Sequence, residues 1–358
     1  MAELPTRAHD GLRSTSSPER DTVGDYFAPF AAEQWAGWCL RAEGIDIAEG
    51  SDSLRAMQQQ PRKTVFELLA MGSPVIGPGV YDGISARLAE EAGFGLAFLS
   101  GYCLSASLLG EPDFGLLSGT QTVEAATRIC PAVGIPIIVD IDTGYGNAFN
   151  VERVVEALVR AGAAGCFLED QVWPKRCGHM DRKRVVPLEE YLPKLRAALA
   201  ARGNAAFHVT ARTDARGALG LDEAVTRAKA FRDAGADAVF VEAPESVSEL
   251  EDVAREVTGI TLVANMVEQG KTPVLPAAEL HAMGFSLIAA PLAGLLAAAR
   301  AIRETFATLA QAGTTSPCAD RLLTFDAMND LLGLKERYAR ERGWLSEPPG
   351  MVAERRRQ

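Results

Sequence analysis

Eight short apolar segments recur along the central part of the chain, and a pattern typical of a helix follows each of them. Strands that are apolar along their whole length are typical of a parallel sheet covered by helices. Eight such units within about 240 residues predict a closed (β/α)8 barrel, or TIM barrel. A doubly wound open sheet is the alternative, and it is less favoured because no Gly-x-Gly-x-x-Gly sequence follows the first segment. The predicted strands cover residues 75–80, 97–100, 136–140, 165–168, 207–211, 238–241, 261–264 and 286–290.

An N-terminal extension precedes the barrel pattern and spans residues 1–62. Its first part, through about Asp25, is polar and rich in Ser, Arg and Pro, which predicts partial disorder. A short helix is predicted over residues 31–40. We expect the extension to dock on the main domain or on a neighbouring subunit rather than to take part in catalysis.

The catalytic barrel is predicted to span residues 63–313, and a C-terminal segment follows it over residues 314–358. One or two helices are expected within residues 319–338, because that part has a helical pattern. Residues 347–358 contain Pro-Pro-Gly and three adjacent arginines, which predicts a loose tail.

Charge and cysteine usage exclude several classes of function. The chain has 36 basic and 47 acidic side chains, a net charge of −11, which argues against nucleic acid or an anionic membrane as the main partner. Its six cysteines are scattered without a Cys-x-x-Cys pair, so they indicate neither a disulfide framework nor a zinc site. Cys130 and Cys166 are predicted to lie in the core. No apolar run reaches about 18 residues and the N-terminus lacks an apolar signal core, so we expect a cytoplasmic protein without a membrane span.

Polar side chains stand where six of the predicted strands end. The carboxyl ends of barrel strands meet on one rim, and barrel enzymes carry their chemistry there. A single polar strand end means little, but six of them are hard to produce by loop composition alone. These strand ends are Ser100-Gly101, Asp140-Ile141-Asp142, Glu169-Asp170, Arg212-Thr213-Asp214, Glu242 and Asn265.

Three of these side chains predict a metal site. Asp140 and Asp142 share one face of the third strand, because side chains alternate with a period of two, and Glu169 ends the next strand. Clustered carboxylates repel one another unless a cation lies between them. An all-oxygen set favours Mg²⁺, with Mn²⁺ as the alternative, over zinc. The competing interpretation is that Asp142 only caps the turn that follows it.

The loop after the fourth strand holds a cysteine among cations. Lys175, Arg176 and His179 lie close to Cys177 in sequence and would favour a thiolate over a thiol. Gly178 would let the backbone approach a ligand closely. An inert loop cysteine is the alternative, and the carboxylates at neighbouring strand ends argue for a chemical role instead.

Arg212, at the end of the fifth strand, suits bidentate binding of a substrate carboxylate. The alternative is a structural ion pair with Glu242, and both roles can hold together. His208 is predicted to be a packed histidine rather than a ligand. Cys103 is expected to pack among small residues rather than act in the pocket.

Taken together, these motifs resemble the isocitrate lyase / phosphoenolpyruvate mutase superfamily, and within it the short lyases that act on 2-methylisocitrate or 2,3-dimethylmalate. The resemblance covers about residues 65–312 and leaves out both ends of the chain. It rests on Pro78-Gly79-Val80-Tyr81-Asp82, Ser100-Gly101, Val139-Asp140-Ile141-Asp142-Thr143-Gly144-Tyr145-Gly146, Glu169-Asp170-Gln171, Lys175-Arg176-Cys177-Gly178-His179 and Ala211-Arg212-Thr213-Asp214.

The resemblance implies a role for each site residue. It implies a magnesium ion bound most directly by Asp140, with Asp142, Asp113 and Glu169 holding it directly or through water. It implies a catalytic set of Cys177, Arg212, Glu169 and His179, with Cys177 as general acid on a loop that closes over the site. The residues it implies for substrate binding are Ser100, Gly101, Tyr102, Gly178, Arg212, Glu242 and Asn265.

The implied reaction is Mg²⁺-dependent cleavage of a 2-hydroxy di- or tricarboxylate to a 2-oxo acid and a second carboxylate. The alternatives are a carboxyphosphonoenolpyruvate phosphonomutase, an oxaloacetate hydrolase and a non-enzymatic sensor of oxo acids. A homotetramer that exchanges the last barrel helix is also implied. Two positions depart from the short lyases: Phe98 replaces a common Tyr, and Met180 stands where 2-methylisocitrate lyases tend to carry Arg.

Overall fold

Eight parallel strands close into a barrel in the computed structural model, which describes residues 62–346. The strands are β1 Val75–Val80, β2 Ala97–Leu99, β3 Ile137–Asp140, β4 Gly165–Glu169, β5 His208–Thr213, β6 Ala238–Val241, β7 Thr261–Asn265 and β8 Phe285–Ala290. Closure comes from parallel pairing of β1 with β8, in which Val75 lies opposite Leu287. The predicted barrel is confirmed, and the open sheet is excluded. The helix predicted over 31–40 and the tail predicted over 347–358 lie outside the described residues.

Aromatic side chains from alternate strands fill the interior of the barrel. The Phe98 ring on β2 stacks on Phe167 of β4 at 5.1 Å between centroids, and Phe167 meets Phe240 of β6 edge to face at 5.7 Å. Such layers from alternate strands are the normal packing of a (β/α)8 interior. Phe98 is therefore a core residue, and its apolar ring suits this position.

Helices cover the outside of the barrel and connect its strands. They are α1 Val65–Leu69, α2 Gly83–Glu91, α3 Gly101–Leu109, α4 Gly119–Ile129, α5 Ala148–Ala161, α6 Leu188–Ala201, α7 Ala215–Leu219, α8 Leu221–Asp233, α9 Val247–Glu256, α10 Ala277–Met283 and α11 Ala293–Ala312. The β2–β3 connection holds two helices, α3 and α4, whereas the sequence pattern there predicts one helix, over about residues 120–129. Ser100 starts α3 by accepting a hydrogen bond from the Cys103 amide at 3.4 Å, a cap that the weak periodicity of the segment hides.

The C-terminal segment is helical, as predicted. A 3₁₀ turn over Ser316–Arg321 leads into α12, Phe325–Leu331, and α13, Leu334–Ser346. No residue of α11 is buried, and its large apolar side chains include Phe306, which is 65% exposed. None of the helices within residues 62–346 is both long and apolar enough to cross a membrane.

The packed residues predicted from the sequence lie in the interior. His208 is buried at the start of β5, with Nδ1 3.2 Å from Thr210 Oγ1 and its ring beside Phe66. Burial lowers the pKa of His208 to about 4. Cys130 and Cys166 are fully buried free thiols, which confirms their core placement.

Candidate active site

A pocket of about 360 Å³ opens at the carboxyl ends of the strands. It brings together side chains from five strand ends and from two connecting loops. Nine of the residues predicted from the sequence line it, together with three apolar residues. The lining is Ser100, Tyr102, Asp113, Asp140, Cys177, Gly178, His179, Arg212, Asn265, Val267, Pro291 and Leu292.

The four other predicted residues stand directly behind this lining. Glu169 Oε2 lies 3.3 Å from Arg212 Nε, and Glu242 Oε2 lies 3.4 Å from Arg212 Nη2. Asp142 and Gly101 flank Asp140, as shown below. The predicted residues thus lie together at one end of the barrel, while their individual chemical roles stay predictions.

A lysine neutralises part of the carboxylate cluster. Lys175 Nζ lies 2.6 Å from Asp113 Oδ2 and 2.6 Å from Asp142 Oδ1, and all three side chains are buried. Burial opposes the charge on Lys175, but Asp142 and Asp113 outweigh it and hold its pKa well above the usual range. These two carboxylates therefore neutralise the charge of Lys175, which leaves little of it to stabilise a neighbouring thiolate.

The remaining donors fit a hard divalent cation. Glu169 Oε1 is buried without a hydrogen-bond partner, and Asp142 Oδ1 has no hydrogen bond of good geometry despite its nearness to Lys175. A Cβ added to Gly101 would meet Asp140 Oδ2 at 2.9 Å and Asp142 Oδ1 at 3.3 Å, so both oxygens face the space that this glycine leaves open.

Burial raises the pKa of Asp142 to about 7 and that of Glu169 well above its usual range, although Lys175 and Arg212 oppose these shifts. A further positive charge would offset this cost. No three His, Cys, Asp or Glu side chains within residues 62–346 converge as closely as a complete metal shell. A Mg²⁺ ion at this site would therefore take only one or two protein oxygens directly and keep several of its waters.

Arg212 is the buried cation of the pocket. Its Nε lies 2.9 Å from Asp214 Oδ2, and its guanidinium lies over the Phe240 ring at 5.1 Å. The alternative ion pair with Glu242 is present at 3.4 Å, so Arg212 is held in place by three carboxylates, counting Glu169. A guanidinium fixed in this way is pre-organised for a substrate carboxylate, because little rotamer freedom remains to be lost on binding.

Glu242 and His179 form the opposite wall. His179 Nδ1 accepts a hydrogen bond from the Lys271 amide at 2.9 Å, so a neutral ring carries its proton on Nε2, which lies 2.9 Å from Glu242 Oε1. Burial alone would raise the pKa of Glu242, but Arg212 and then His179 outweigh it and hold that pKa well below the usual range. Asn265 Nδ2 also faces Glu242, at 3.2 Å from Oε2.

Gly178 is required by this close packing. A Cβ at that position would lie 2.4 Å from Glu242 Cγ and 2.5 Å from Arg212 Nη2. Only a residue without a side chain lets the loop approach these two side chains so closely.

The state of the Cys177 thiol differs from the sequence prediction. Burial raises the pKa of Cys177 to about 11, Asp113 adds to this shift, and the His179 amide and Lys175 lower it only in part. The expected thiolate is therefore wrong: the charge of Lys175 is taken up by carboxylates. The Arg176 guanidinium lies over the Phe114 ring instead of the thiol. A neutral thiol is the form that a proton donor requires.

Several hydrogen bonds hold the loop from Asp170 to Val186 over the pocket. Gln171 pairs with Val185 in an isolated antiparallel bridge, and its side chain bonds both the Arg176 amide and carbonyl. Lys183 is buried and donates to the Gly178 carbonyl and, at 2.9 Å, to Asp214 Oδ1. The loop is thereby tied to Asp214, which also holds Arg212.

Sequence reasoning misses several of these residues. The sequence puts Lys175 close to Cys177, but no spacing in the sequence indicates that Lys175 binds the carboxylates of Asp113 and Asp142. Lys183 gives no signal, because its partners come from other parts of the chain. The apolar wall consists of Val267, Pro291 and Leu292. Pro291 could have been expected there, because it directly follows the eighth strand and so lies at the same rim.

Comparison with known proteins assigns the family. A model of the family described as phosphoenolpyruvate phosphomutase matches residues 66–310, and the chain belongs to this family. Its relatives are named as lyases and mutases, which confirms the prediction of an enzyme of the isocitrate lyase / phosphoenolpyruvate mutase superfamily.

Two curated relatives cover most of the chain. The petal death protein of Dianthus caryophyllus is 46% identical over 290 residues, covering 81% of this chain and 91% of the relative. The 2,3-dimethylmalate lyase of Eubacterium barkeri is 43% identical over 270 residues, covering 75% and 93%.

Two solved structures share the fold at similar coverage. One is oxaloacetate acetylhydrolase in complex with the inhibitor 3,3-difluorooxalacetate, with a TM-score of 0.76, 36% identity, and coverage of 80% of this chain and 98% of that one. The other is a complex of phosphonopyruvate hydrolase with oxalate and Mg²⁺, with a TM-score of 0.71, 33% identity, and coverage of 78% and 97%.

Proposed function

We propose that this enzyme is a Mg²⁺-dependent carbon–carbon lyase that cleaves an alkyl-substituted 2-hydroxy dicarboxylate, of the 2,3-dimethylmalate kind, to a 2-oxo acid and a second carboxylate. The observation that carries the proposal is one pocket with three features. The buried guanidinium of Arg212 and the half-buried thiol of Cys177 line it beside an apolar wall, and the unpartnered Glu169 Oε1 stands directly behind the lining. The name of the relative from Eubacterium barkeri supports the same reaction class.

Asp140 would hold the magnesium ion, with Asp142, Asp113 and Glu169 acting directly or through water. When bound, the ion would supply positive charge that stabilises the developing charge on the reacting oxygen. Arg212 would bind the carboxylate of the 2-oxo-acid half, beside Ser100, Gly101 and Tyr102. The loop at Gly178 and His179, with Asn265 and Glu242 opposite, would enclose the other half.

The bond cleavage needs one proton acceptor and one proton donor. Glu169, with its unpartnered Oε1, accepts the proton of the 2-hydroxyl group. The bond between C2 and C3 then breaks, C2 becomes the carbonyl carbon of the 2-oxo acid, and the electron pair stays on C3 beside its carboxylate. Cys177 donates its thiol proton to C3, and solvent returns the Glu169 proton to the thiolate after product release. The closed loop excludes water that would compete as donor.

The lining of the pocket favours a dicarboxylate with alkyl groups over a tricarboxylate. Arg212 is the only Lys or Arg side chain among the lining residues. A third carboxylate would therefore lack a cation. Val267, Pro291 and Leu292 offer contacts to methyl groups instead. Met180, in place of an Arg, agrees with this choice.

A 2-oxo-acid release assay with Mg²⁺ tests the proposal. The candidate substrates are 2,3-dimethylmalate, 2-methylisocitrate, isocitrate and oxaloacetate, each with and without EDTA. We expect turnover of 2,3-dimethylmalate that EDTA abolishes and that Cys177→Ser lowers by about 10³-fold, within the range of general acid catalysis. Cys318→Ser is the control, because Cys318 is also a free thiol but lies in the C-terminal segment, outside the pocket lining.

Three results would contradict the proposal in different ways. Oxalate release from oxaloacetate, faster than cleavage of any hydroxy acid, would make the enzyme a hydrolase. Full turnover in Cys177→Ser would remove the thiol from the mechanism. Inactivity on all four acids in a protein that binds oxalate and Mg²⁺ would favour phosphonate chemistry, which ³¹P NMR detects through a phosphonate product.

We also propose a reducing compartment such as the cytoplasm, where Cys177 stays a free thiol. We further propose a homotetramer in which α11 packs against a neighbouring subunit. The support is the unburied length of α11, whose side chains Leu296, Ile302 and Phe306 are 44%, 52% and 65% exposed. Light scattering after size-exclusion chromatography should give four copies, and fewer for Phe306→Asp. A monomeric wild type would contradict the assembly.

A further inference from the structure

A second cavity, of about 790 Å³, lies along the turn that follows Asp142. We call it the Trp173 cavity. It shares no lining residue with the candidate active site. Its lining is Gly115, Leu116, Leu117, Ser118, Gly119, Thr143, Tyr145, Gly146, Trp173 and Lys194.

One cation lines the Trp173 cavity and has no ion pair among residues 62–346. The Lys194 ammonium on α6 is half-buried, and its one protein hydrogen bond goes to the Thr143 carbonyl at 3.1 Å. Burial lowers the pKa of Lys194, and the charge of Glu190, one turn earlier on α6, opposes that shift. Two of the three N–H bonds of this ammonium thus remain available to an anion.

A hydroxyl group beside Lys194 also lacks a partner. Thr143 is 1% exposed, it lines the cavity, and its Oγ1 is buried without a hydrogen bond in the described structure. A buried hydroxyl without a partner costs free energy, and native proteins satisfy most such groups. Because this oxygen is buried in the described structure, a ligand carboxylate on Lys194 Nζ would reach it only after the Thr143 side chain rotates toward the cavity.

The rest of the wall is apolar and aromatic. Trp173 is 43% exposed and meets the Tyr145 ring edge to face at 6.0 Å between centroids. Leu116, which is 53% exposed, adds an aliphatic surface. The Tyr145 hydroxyl is already bonded to Thr122 at 2.8 Å, so the ring alone faces a ligand.

We propose that the Trp173 cavity binds a small monocarboxylate with an apolar body about the size of a ring, its carboxylate on Lys194 and Thr143 and its body against Trp173 and Tyr145. A single cation matches one carboxylate, and no Asp or Glu lines the cavity to repel it. The volume is ample for a molecule of this size. The aromatic wall excludes a purely polar anion as the best ligand, because the ring faces would stay exposed.

Binding in the Trp173 cavity does not depend on the proposed reaction. No cysteine, histidine or pair of carboxylates lines it, so it offers no chemistry of its own. A bound ligand would instead touch two segments of the active site. Thr143 directly follows Asp142, and Trp173 lies two residues before Lys175.

Isothermal titration of the full-length protein with phenylacetate tests the proposal. We expect one phenylacetate per chain, accompanied by a change in tryptophan fluorescence that Trp173→Phe removes. Lys194→Met should weaken binding at least tenfold, since it removes a charge-assisted contact but keeps the length of the side chain. Phenylacetamide lacks the charge and acetate lacks the body, so both should bind at least tenfold more weakly. Lys229→Met, an exposed lysine on α8, is the matched control and should bind as the wild type does.

Thermal melting must show that Lys194→Met is folded; Thr143→Val, which removes only the hydroxyl, provides a second variant and should also weaken binding. Equal phenylacetate affinity in Lys194→Met and wild type would overturn the proposal, as would equal affinity for phenylacetamide. Displacement of phenylacetate by oxalate with Mg²⁺ would place it in the main pocket and would also overturn the proposal. A change in oligomeric state in Lys194→Met, without detectable phenylacetate binding to wild type, would mean that a second copy of the chain covers the cavity.

Discussion

Replacing Gly178 by alanine tests the central geometric claim, that the loop packs directly on Arg212 and Glu242. The added Cβ would lie 2.4 Å from Glu242 Cγ, whereas ordinary contact begins at 3.4 Å, so the two groups must separate by about 1 Å. Neither side of this contact is free to move, because carboxylates hold Arg212 in place and Lys183 binds the Gly178 carbonyl. A misplacement of about 1 Å costs on the order of 10²-fold in rate. We therefore expect kcat/KM to fall about 100-fold.

The matched control is Gly83→Ala at the start of α2. A Cβ at Gly83 meets no atom within 4 Å, and its backbone is helical, so this substitution should leave activity unchanged. Gly83→Ala should unfold at nearly the wild-type temperature and Gly178→Ala at a lower one, because only the second substitution forces a Cβ against the buried Glu242 side chain. The assay is initial-rate kinetics on the substrate identified above, with thermal melting of each variant.

The reasoning fails if Gly178→Ala keeps kcat/KM within twofold of Gly83→Ala. That result would mean that the loop sits farther from Arg212 during turnover than in the described structure. A large fall in both variants would point to a general effect of alanine on folding, which the melting curves would show.

Three further predictions follow from single contacts. Lys183→Met removes the buried partner of Asp214 and should lower the free energy of unfolding by about 3 kcal/mol, measured by urea titration, with Lys335→Met as an exposed control that changes little. With its pKa raised to about 11, the Cys177 thiol should react slowly with iodoacetamide at pH 8 and faster above pH 10; fast reaction at pH 8 would refute the neutral thiol. The pKa of His208 falls from 6.5 to about 4 on folding, so stability should be full above pH 6.5 and decline by about 3 kcal/mol as pH falls through 4. His208→Gln should flatten that decline, and an unchanged pH dependence of unfolding in this variant would contradict it.

The barrel could be predicted from the sequence because most residues of its strands are buried on both faces. Segments such as Gly165–Glu169 and His208–Thr213 are wholly buried, and burial of this kind leaves an unbroken apolar run that needs no tertiary information to recognise. Helix α3 was not predicted, because its sequence shows no comparably clear pattern. It begins at a glycine directly after a strand, and its Ser and small apolar residues give little amphipathic contrast.

The position of the candidate site followed from topology, since parallel strands bring their carboxyl ends to one rim. That argument places Asp140, Glu169, Arg212 and Glu242 together without any knowledge of distances. It cannot show which charges pair. Lys175 bonds Asp113, a residue 62 positions away, and no local pattern encodes that contact.

The error over Cys177 shows what a sequence leaves out of an electrostatic argument. Neighbouring cations lower a thiol pKa only if they lie close to the sulfur in the folded chain and their charge is not already neutralised. Here Lys175 is neutralised by two carboxylates, and burial of the sulfur outweighs what remains. The same carboxylates that would gather a metal ion thus remove the cation that would have ionised the thiol. The arrangement keeps a cluster of carboxyl groups on one side of the pocket and a neutral thiol on the other, which are the two features that the proposed lyase reaction would require.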